Sequence, residues 1–379
     1  MKKIILASGI ALMGSTAAHA VDIKAGDWTV SVGGIINAYY TQVSCSGDTI
    51  TGTALGGRGL GCGGRGKRTT IGNGLLPSGL ITSVKTHQGD YDIGGTLGIM
   101  TSTATDSAIG TNSQVDVRQG FFTLGNDRIG TFKLGRDYGI FGSNAILGDM
   151  TLMGAGSPNQ ATQKNRVTLG HIGAGYSYLG TYGMLAYSSP VMSGLKIDAA
   201  LVSPVNSLSG YDSAASPQLQ AQLSFAQDGL KGWVGAKSQN FVAENSANAR
   251  NFTMSGAEIG ASYTMGPLGV LANIQGGKGL GILADGDQGD AKSTNYFMQA
   301  TYKVAPQVKL GLSYGKSKNR DQTPGTLNLA SNDNLTAGVY YAITPSITLV
   351  GELAQTRSKG FDGKSAHLNG GSIGGIFFF

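Results

Sequence analysis

The sequence predicts an all-β fold, a closed antiparallel barrel that crosses a membrane. Three observations carry that prediction. Polar and apolar residues alternate at period two through segments of about 9–11 residues, the length a tilted membrane strand needs. The connections between those segments are by turns very short and long and polar. The chain opens on an export leader and closes on Ile376-Phe377-Phe378-Phe379, a bare aromatic terminus. In water such an end would leave a large apolar patch exposed. In a closed barrel the last strand pairs with the first, and aromatic rings at its end sit at the membrane–water boundary. A soluble sandwich with an apolar last strand is the competing reading, but it does not impose the short–long rhythm.

The leader is Met1-Lys2-Lys3, an apolar run from Ile4 to Met13, and Ala18-His19-Ala20. A basic start, a short apolar stretch and a small-residue site define a cleavable signal peptide too short to anchor in a bilayer. Cleavage after Ala20 divides the chain into a leader, 1–20, and one barrel domain, 21–379. The 28 basic residues lose Lys2 and Lys3 with the leader, against 22 acids, so the remaining net charge is about +4. That mild basicity points to an anion-tolerant surface or lumen. It does not point to nucleic acid, because no Lys/Arg cluster carries interleaved aromatics.

The part after the leader, about 360 residues, is long enough for two or three soluble domains, yet no linker, charge block or compositional break divides it. Its 62 glycines fall inside alternating segments as well as in loops. Glycine weakens a soluble sheet but permits the tilt and curvature of a strongly bent wall. No apolar run after the leader is long enough for a helical span.

The clearest alternation is Gln218-Leu219-Gln220-Ala221-Gln222-Leu223-Ser224-Phe225, with glutamines on one face and apolar groups on the other. Gln307–Tyr314, Leu335–Tyr341 and Ile347–Leu353 repeat it. Short connections such as Asp228-Gly229 and Ala305-Pro306 alternate with long ones such as Ser44–Gly72, Gly139–Gln163 and Ala284–Lys292. Counting between connections gives about sixteen strands, an even number as bacterial barrels require. They run from 27–42 and 72–87 at the start, through 174–190 and 267–282, to 365–379. A barrel of that size leaves an aqueous lumen, so polar inward faces are wetted. Cys45 and Cys62 lie in a Gly-rich polar stretch of an exported chain, which favours one disulfide stapling the first long loop.

The segment Gln114–Gly125, continuing from Arg128 to Gly139, holds an arginine, an aromatic-rich alternating run and a Gly-Arg pair before a long loop. This order resembles the fourth and fifth strands of the general bacterial trimeric porins. Ile146-Leu147-Gly148-Asp149-Met150 resembles the acidic part of their third loop, and Tyr187-Ser188-Ser189-Pro190 with Gly194 their next hairpin. The likeness spans essentially the whole chain after the leader. It implies a homotrimer of sixteen-stranded barrels in the outer membrane of a Gram-negative bacterium. Each would pass small hydrophilic solutes and ions, and each would be narrowed by a third loop folded inward. It also implies that the terminal Phe379 is read by the barrel-assembly machinery, and that outer-membrane lipid and lipopolysaccharide surround the wall.

Carried over residue by residue, acids on that loop face a ladder of basic wall residues across the constriction. Opposite charges across a water-filled slit with low-dielectric walls make a strong local field. Arg118 is the first wall arginine, sharing a face with Asp116 and Gly120, while Val115, Val117 and Phe121 point to lipid or subunit. Arg136 is the second, either lining the pore or serving the subunit interface. Asp149 is the loop acid. The pattern departs from the family at Thr151–Gly154, where a second acid is common, and before Tyr187, where an arginine is. Arg166, with Lys164, stands nearby and is offset. Gly142–Gly156 is also unusually apolar; either it makes a pore for less polar solutes, a substrate-specific channel, or it packs the loop onto the wall. Arg58, Arg65, Lys67 and Arg68 in the first loop line the mouth, bind lipopolysaccharide phosphates, or form a solvated face.

Enzymatic patterns are missing from the sequence. His87, His171 and His367 lack metal-ligand spacing, no hydrolase or nucleotide motif occurs, and nothing calls for a cofactor.

Overall fold

A computed structural model describes residues 20–103, 114–156, 169–205, 210–213, 215–244, 250–322 and 328–379. The leader lies outside these apart from Ala20. The strands are β1 (Val21–Ala25), β2 (Trp28–Gly47), β3 (Lys67–Gly72), β4 (Ser78–Gln88), β5 (Tyr91–Ser102), β6 (Gln114–Asn126) and β7 (Gly130–Tyr138). Then follow β8 (Thr181–Ser188), β9 (Leu195–Val202), β10 (Tyr211–Asp212), β11 (Gln218–Gln227), β12 (Leu230–Ala243) and β13 (Phe252–Met265). The chain finishes with β14 (Leu268–Lys278), β15 (Lys292–Ala305), β16 (Val308–Asn319), β17 (Leu329–Ala342), β18 (Ile347–Gly360) and β19 (Ser365–Phe378).

These nineteen strands fill the sixteen positions of a closed antiparallel barrel. Three positions are shared. β3 and β4 both pair with β2 and form one strand interrupted at 73–77. β10 and β11 both pair with β12. β1 and β19 lie end to end along β2: Phe378 pairs with Ile35, the Phe379 carbonyl accepts from the Gly34 amide at 2.8 Å, and Val21 resumes opposite Val32. The closing strand is thus built from both ends of the described chain.

Alternation decides the two faces. Gln218 is fully buried and Leu219 is 52% exposed, and the same contrast runs along β13, β17 and β19. Apolar side chains on the outside suit lipid, and closure leaves the sheet without an open edge. Short turns follow local chemistry. Gln227 pairs with Leu230 across Asp228-Gly229, and both turn residues have positive φ (49° and 81°), the two-residue hairpin turn that matches strand twist.

Two expectations shift. The strand at 72–87 is broken by Asn73–Pro77, where Asn37 Nδ2 donates to the Leu76 carbonyl and the Gly74 amide donates to Asn37 Oδ1, replacing ladder bonds. The strand expected from 174 begins at Thr181, because Gly173, Gly175 and Gly180 take positive φ and turn the preceding chain away from the sheet.

Candidate pore-lining site

After β7 the described chain leaves the wall for residues 139–156 and 169–180. It forms a short helix, α1 (Ser143–Gly148), and a single 3-10 turn at Met150–Met153. Asp149 joins them. Its Oδ1 accepts from the Thr151 amide and hydroxyl, each at 2.8 Å; its Oδ2 accepts from the Tyr176 hydroxyl at 2.6 Å and meets His171 Nδ1 at 3.0 Å. Burial by itself would raise the carboxyl; the His171 contact and these hydrogen bonds outweigh it and hold Asp149 below the usual carboxylate range. The carboxylate thus ties the two arms of the segment together.

The same segment is stitched to the inner faces of successive strands. Amides of Ile140 and Phe141 donate to Gln220 on β11, and that of Gly142 to Glu258 on β13. Ser177 donates to Gln275 on β14, Met150 to Gln299 on β15, and Gly175 to Ser317 on β16. Asn332 on β17 donates to the Gly173 carbonyl. Between these polar stitches, Ile146, Leu152, Ile172 and Leu179 pack in one cluster with wall residues Trp233, Leu271, Phe297, Ile376 and Phe378. The apolar character of 142–156 is therefore a packing surface. Close approach depends on Gly315, where an added Cβ would lie 1.9 Å from the Ala174 carbonyl oxygen.

Two further segments join it. Residues 279–291, expected to be strand and then a polar loop, turn back so that Leu283 accepts from the Tyr178 amide and Ile282 is fully buried. Asp287 folds this turn by accepting from the amides of Ile282, Leu283 and Ala284; its burial outweighs those bonds and pushes its carboxyl up to about 6. Asp285 forms a buried ion pair with Lys237 on β12. The sequence signal overlooked here is Leu280, Ile282 and Leu283 between glycines. In the first loop the Cys45–Cys62 disulfide is formed, and Leu55 and Gly56 donate to Asn332 and Ser358.

The arc from β4 to β9 is different. Ser83, Thr96, Thr123 and Lys133 on its inner face are only partly buried. On β6 the register skips one residue: Ile99 pairs with Val117 and Gly98 with Gln119, leaving Arg118 as a β-bulge. Arg118 and Gln119 consequently both turn inward, and the alternation beyond them is reversed. Phe121, expected toward lipid, lies inside with Lys133 Nζ 4.7 Å from its ring centroid, while Phe122 is exposed.

Arg118 is 5% exposed, and its Nε donates to Asp116 Oδ2 at 3.0 Å. Arg136, its side chain half exposed, donates to Thr181 Oγ1 and stands 3.9 Å from the other Asp116 oxygen. The two arginines therefore share one carboxylate, and it is Asp116. Asp149 is engaged with His171 and Tyr176, and Arg166 lies outside the described residues. Beside Arg118, an apolar cavity of about 40 Å³ is lined by Leu75, Tyr138, Ile146, Leu152 and Tyr178. It has room for a few waters at most.

One arrangement invites a chemical reading. Ser313 Oγ lies 3.4 Å from His171 Nε2, so Ser313, His171 and Asp149 stand in the order of a hydrolase triad. All three are buried, with no open face for a substrate. The row serves to pin the segment to β16.

A closed sixteen-stranded barrel, apolar outside and polar within, defines an outer-membrane channel for passive diffusion. The chain belongs to the Gram-negative porins, whose family model matches residues 7–360. Its fold is similar to the outer-membrane channel DcaP of Acinetobacter baumannii, at 16% identity and TM-score 0.68, covering 94% of this chain and 99% of that one. An anion-selective porin from Comamonas acidovorans is 16% identical with TM-score 0.67, over 93% of this chain and 100% of that one. OmpF of Salmonella typhi is 14% identical with TM-score 0.61, over 95% and 100%. No curated protein matches the sequence. The proteins it resembles are channels, not enzymes.

Proposed function

We propose that the chain, cleaved after Ala20, forms a homotrimer of general-diffusion pores for small hydrophilic solutes and ions. Residues 139–156 and 169–180 belong to an inward-folded third loop that sets the aperture. The carrying observation is the run of hydrogen bonds from that segment to inner-face side chains of β11 and β13 to β17. A loop fastened to that arc leaves the passage against the β4–β9 wall, where Asp116, Arg118 and Arg136 gather. In this reading Arg118 sets the field and Asp149 holds the loop in place, while Arg136, which shares the face of exposed Phe132 and Leu134, serves the subunit interface. The relatives that it resembles include trimeric porins, which supports the trimer. Phe379, closing the seam on Gly34, is the assembly signal, and the basic first loop around Arg58, Arg65, Lys67 and Arg68 meets lipopolysaccharide phosphates.

The test is pure protein in planar bilayers and in liposomes swollen by sugars of graded size. Step conductance, swelling that falls with solute size and a slow-migrating oligomer on unheated gels are expected. No conductance overturns the pore; current that saturates with one solute replaces general diffusion with a substrate-specific channel. Arg118→Ala lowers anion preference in the same bilayers if the arginine lines the aperture, and leaves it unchanged if it does not.

A further inference from the structure

Six lysines occupy inner-face positions near the short-turn end of the wall: Lys85 on β4, Lys133 on β7, Lys196 on β9, Lys231 on β12, Lys303 on β15 and Lys309 on β16. Alternation fixes their direction. Lys133 stands between exposed Phe132 and Leu134, Lys196 between exposed Leu195 and Ile197, and Lys303 between exposed Tyr302 and Val304. Lys309 precedes exposed Leu310, Lys231 shares the face of buried Trp233, and Lys85 is on the face opposite exposed Leu80.

Only two of the six are neutralised. Lys133 pairs with Asp137, and Lys196 with Asp198 at 2.7 Å. Lys85, Lys231, Lys303 and Lys309 have no carboxylate in ion-pair contact among the described residues. Lys24 and Asp22 on β1 offset each other, and His87 meets Asp92. The inward carboxylates Glu258 and Glu352 are buried, accepting from the Gly142 amide and the Tyr340 hydroxyl. Lys303 and Lys309 face each other directly across the β15–β16 ladder, a like-charge pair that opposes sheet pairing. Lys309 Nζ lies 5.0 Å from the Tyr340 ring centroid, which holds it in place.

We propose that these lysines form a cationic collar that concentrates small anions, chloride, phosphate and carboxylates, at the short-turn mouth and makes the channel anion-preferring. Low-dielectric walls focus the field of uncompensated charge into the water between them. The four unpaired lysines of the collar, Lys85, Lys231, Lys303 and Lys309, are on strands other than those of Arg118 and Arg136 and lie at the strand ends. The inference rests on the pore reading above.

The experiment measures reversal potentials across bilayers under a KCl gradient, and again with potassium phosphate. Wild type is expected to favour the anion. A variant carrying K231Q, K303Q and K309Q should lose roughly threefold or more of that preference, with single variants each giving part of the loss. Lys316→Gln and Lys359→Gln, near the long-loop end of β16 and β18, serve as controls and should leave it unchanged. Heat-modifiable gel mobility reports folding of each variant. A cation-preferring wild type, or a triple variant with intact conductance and unaltered preference, overturns the collar. Absence of conductance in wild type overturns the pore itself.

Discussion

The arc from β11 to β17 and the arc from β4 to β9 are made of the same alternating strands, yet they use their inner faces differently. On the first, Gln220, Glu258, Gln275, Gln299, Ser317 and Asn332 are occupied by the backbone of residues 140–150 and 173–177. On the second, Ser83, Thr96, Thr123 and Lys133 keep part of their surface free. Buried polar groups are costly unless bonded, so a wetted arc tolerates almost any hydrophile, while a covered arc demands matched partners. Substitutions should therefore be felt far more on one side than on the other.

The largest effect is expected at Asp149. Asp149→Leu strands the Tyr176 hydroxyl and His171 inside the loop and should cost about 3 kcal/mol or more. The loop should loosen while the barrel persists, seen as larger, noisier single-channel steps with retained heat-modifiable mobility. Unchanged steps would mean that the loop is held by its apolar contacts alone. Replacing both Cys45 and Cys62 with Ala should destabilise the first loop by about 3 kcal/mol, as expected for closing a loop of this length. Protease sensitivity between them is the readout.

Asp287 makes the covered arc pH-sensitive. Its carboxyl is pushed up to about 6 in the fold, so the folded turn holds a proton that the unfolded chain releases near 4. The stability it adds is fullest below about 4 and is lost as pH rises through 6, on the order of 3 kcal/mol. Current noise should grow between those values, and Asp287→Asn should flatten the profile. Gln299→Ala, removing bonds to the Met150 amide and the Gly148 carbonyl, should cost about 1–2 kcal/mol. Thr123→Ala on the open arc should stay within about 0.5 kcal/mol; an effect as large as that at Gln299 would erase the contrast between the arcs.

Much of the wall is legible in the sequence because its cause is local. Period-two runs such as Gln218–Phe225 specify both faces at once, and Asp228-Gly229 names its own turn. The disulfide follows from two cysteines in an exported chain. What escapes local reasoning depends on partners. The bulge at Arg118 exists only through its pairing with Gly98 and Ile99, so the inward turn of Phe121 cannot be read from β6 alone. Asp149 looks like a free loop acid until His171, 22 positions later, is brought to it. The turn at 279–291 shows the same limit, since Ile282 and Leu283 acquire a burial site only after residues 169–180 are laid against the wall.

The seam between β19 and β2 bears on how such a molecule comes to exist. Other neighbouring strands follow one another in sequence and can zip up hairpin by hairpin, the fast regime of low contact order. The seam joins Thr41 to Ser372, 331 positions apart. Its entropic cost grows only slowly with the chain between, about 0.6 kcal/mol per doubling, so long loops burden closure little. Timing is the harder demand. Until the last strand arrives, β2 offers a long unpaired edge open to any other strand, and the chain stays vulnerable until its final residues are in place.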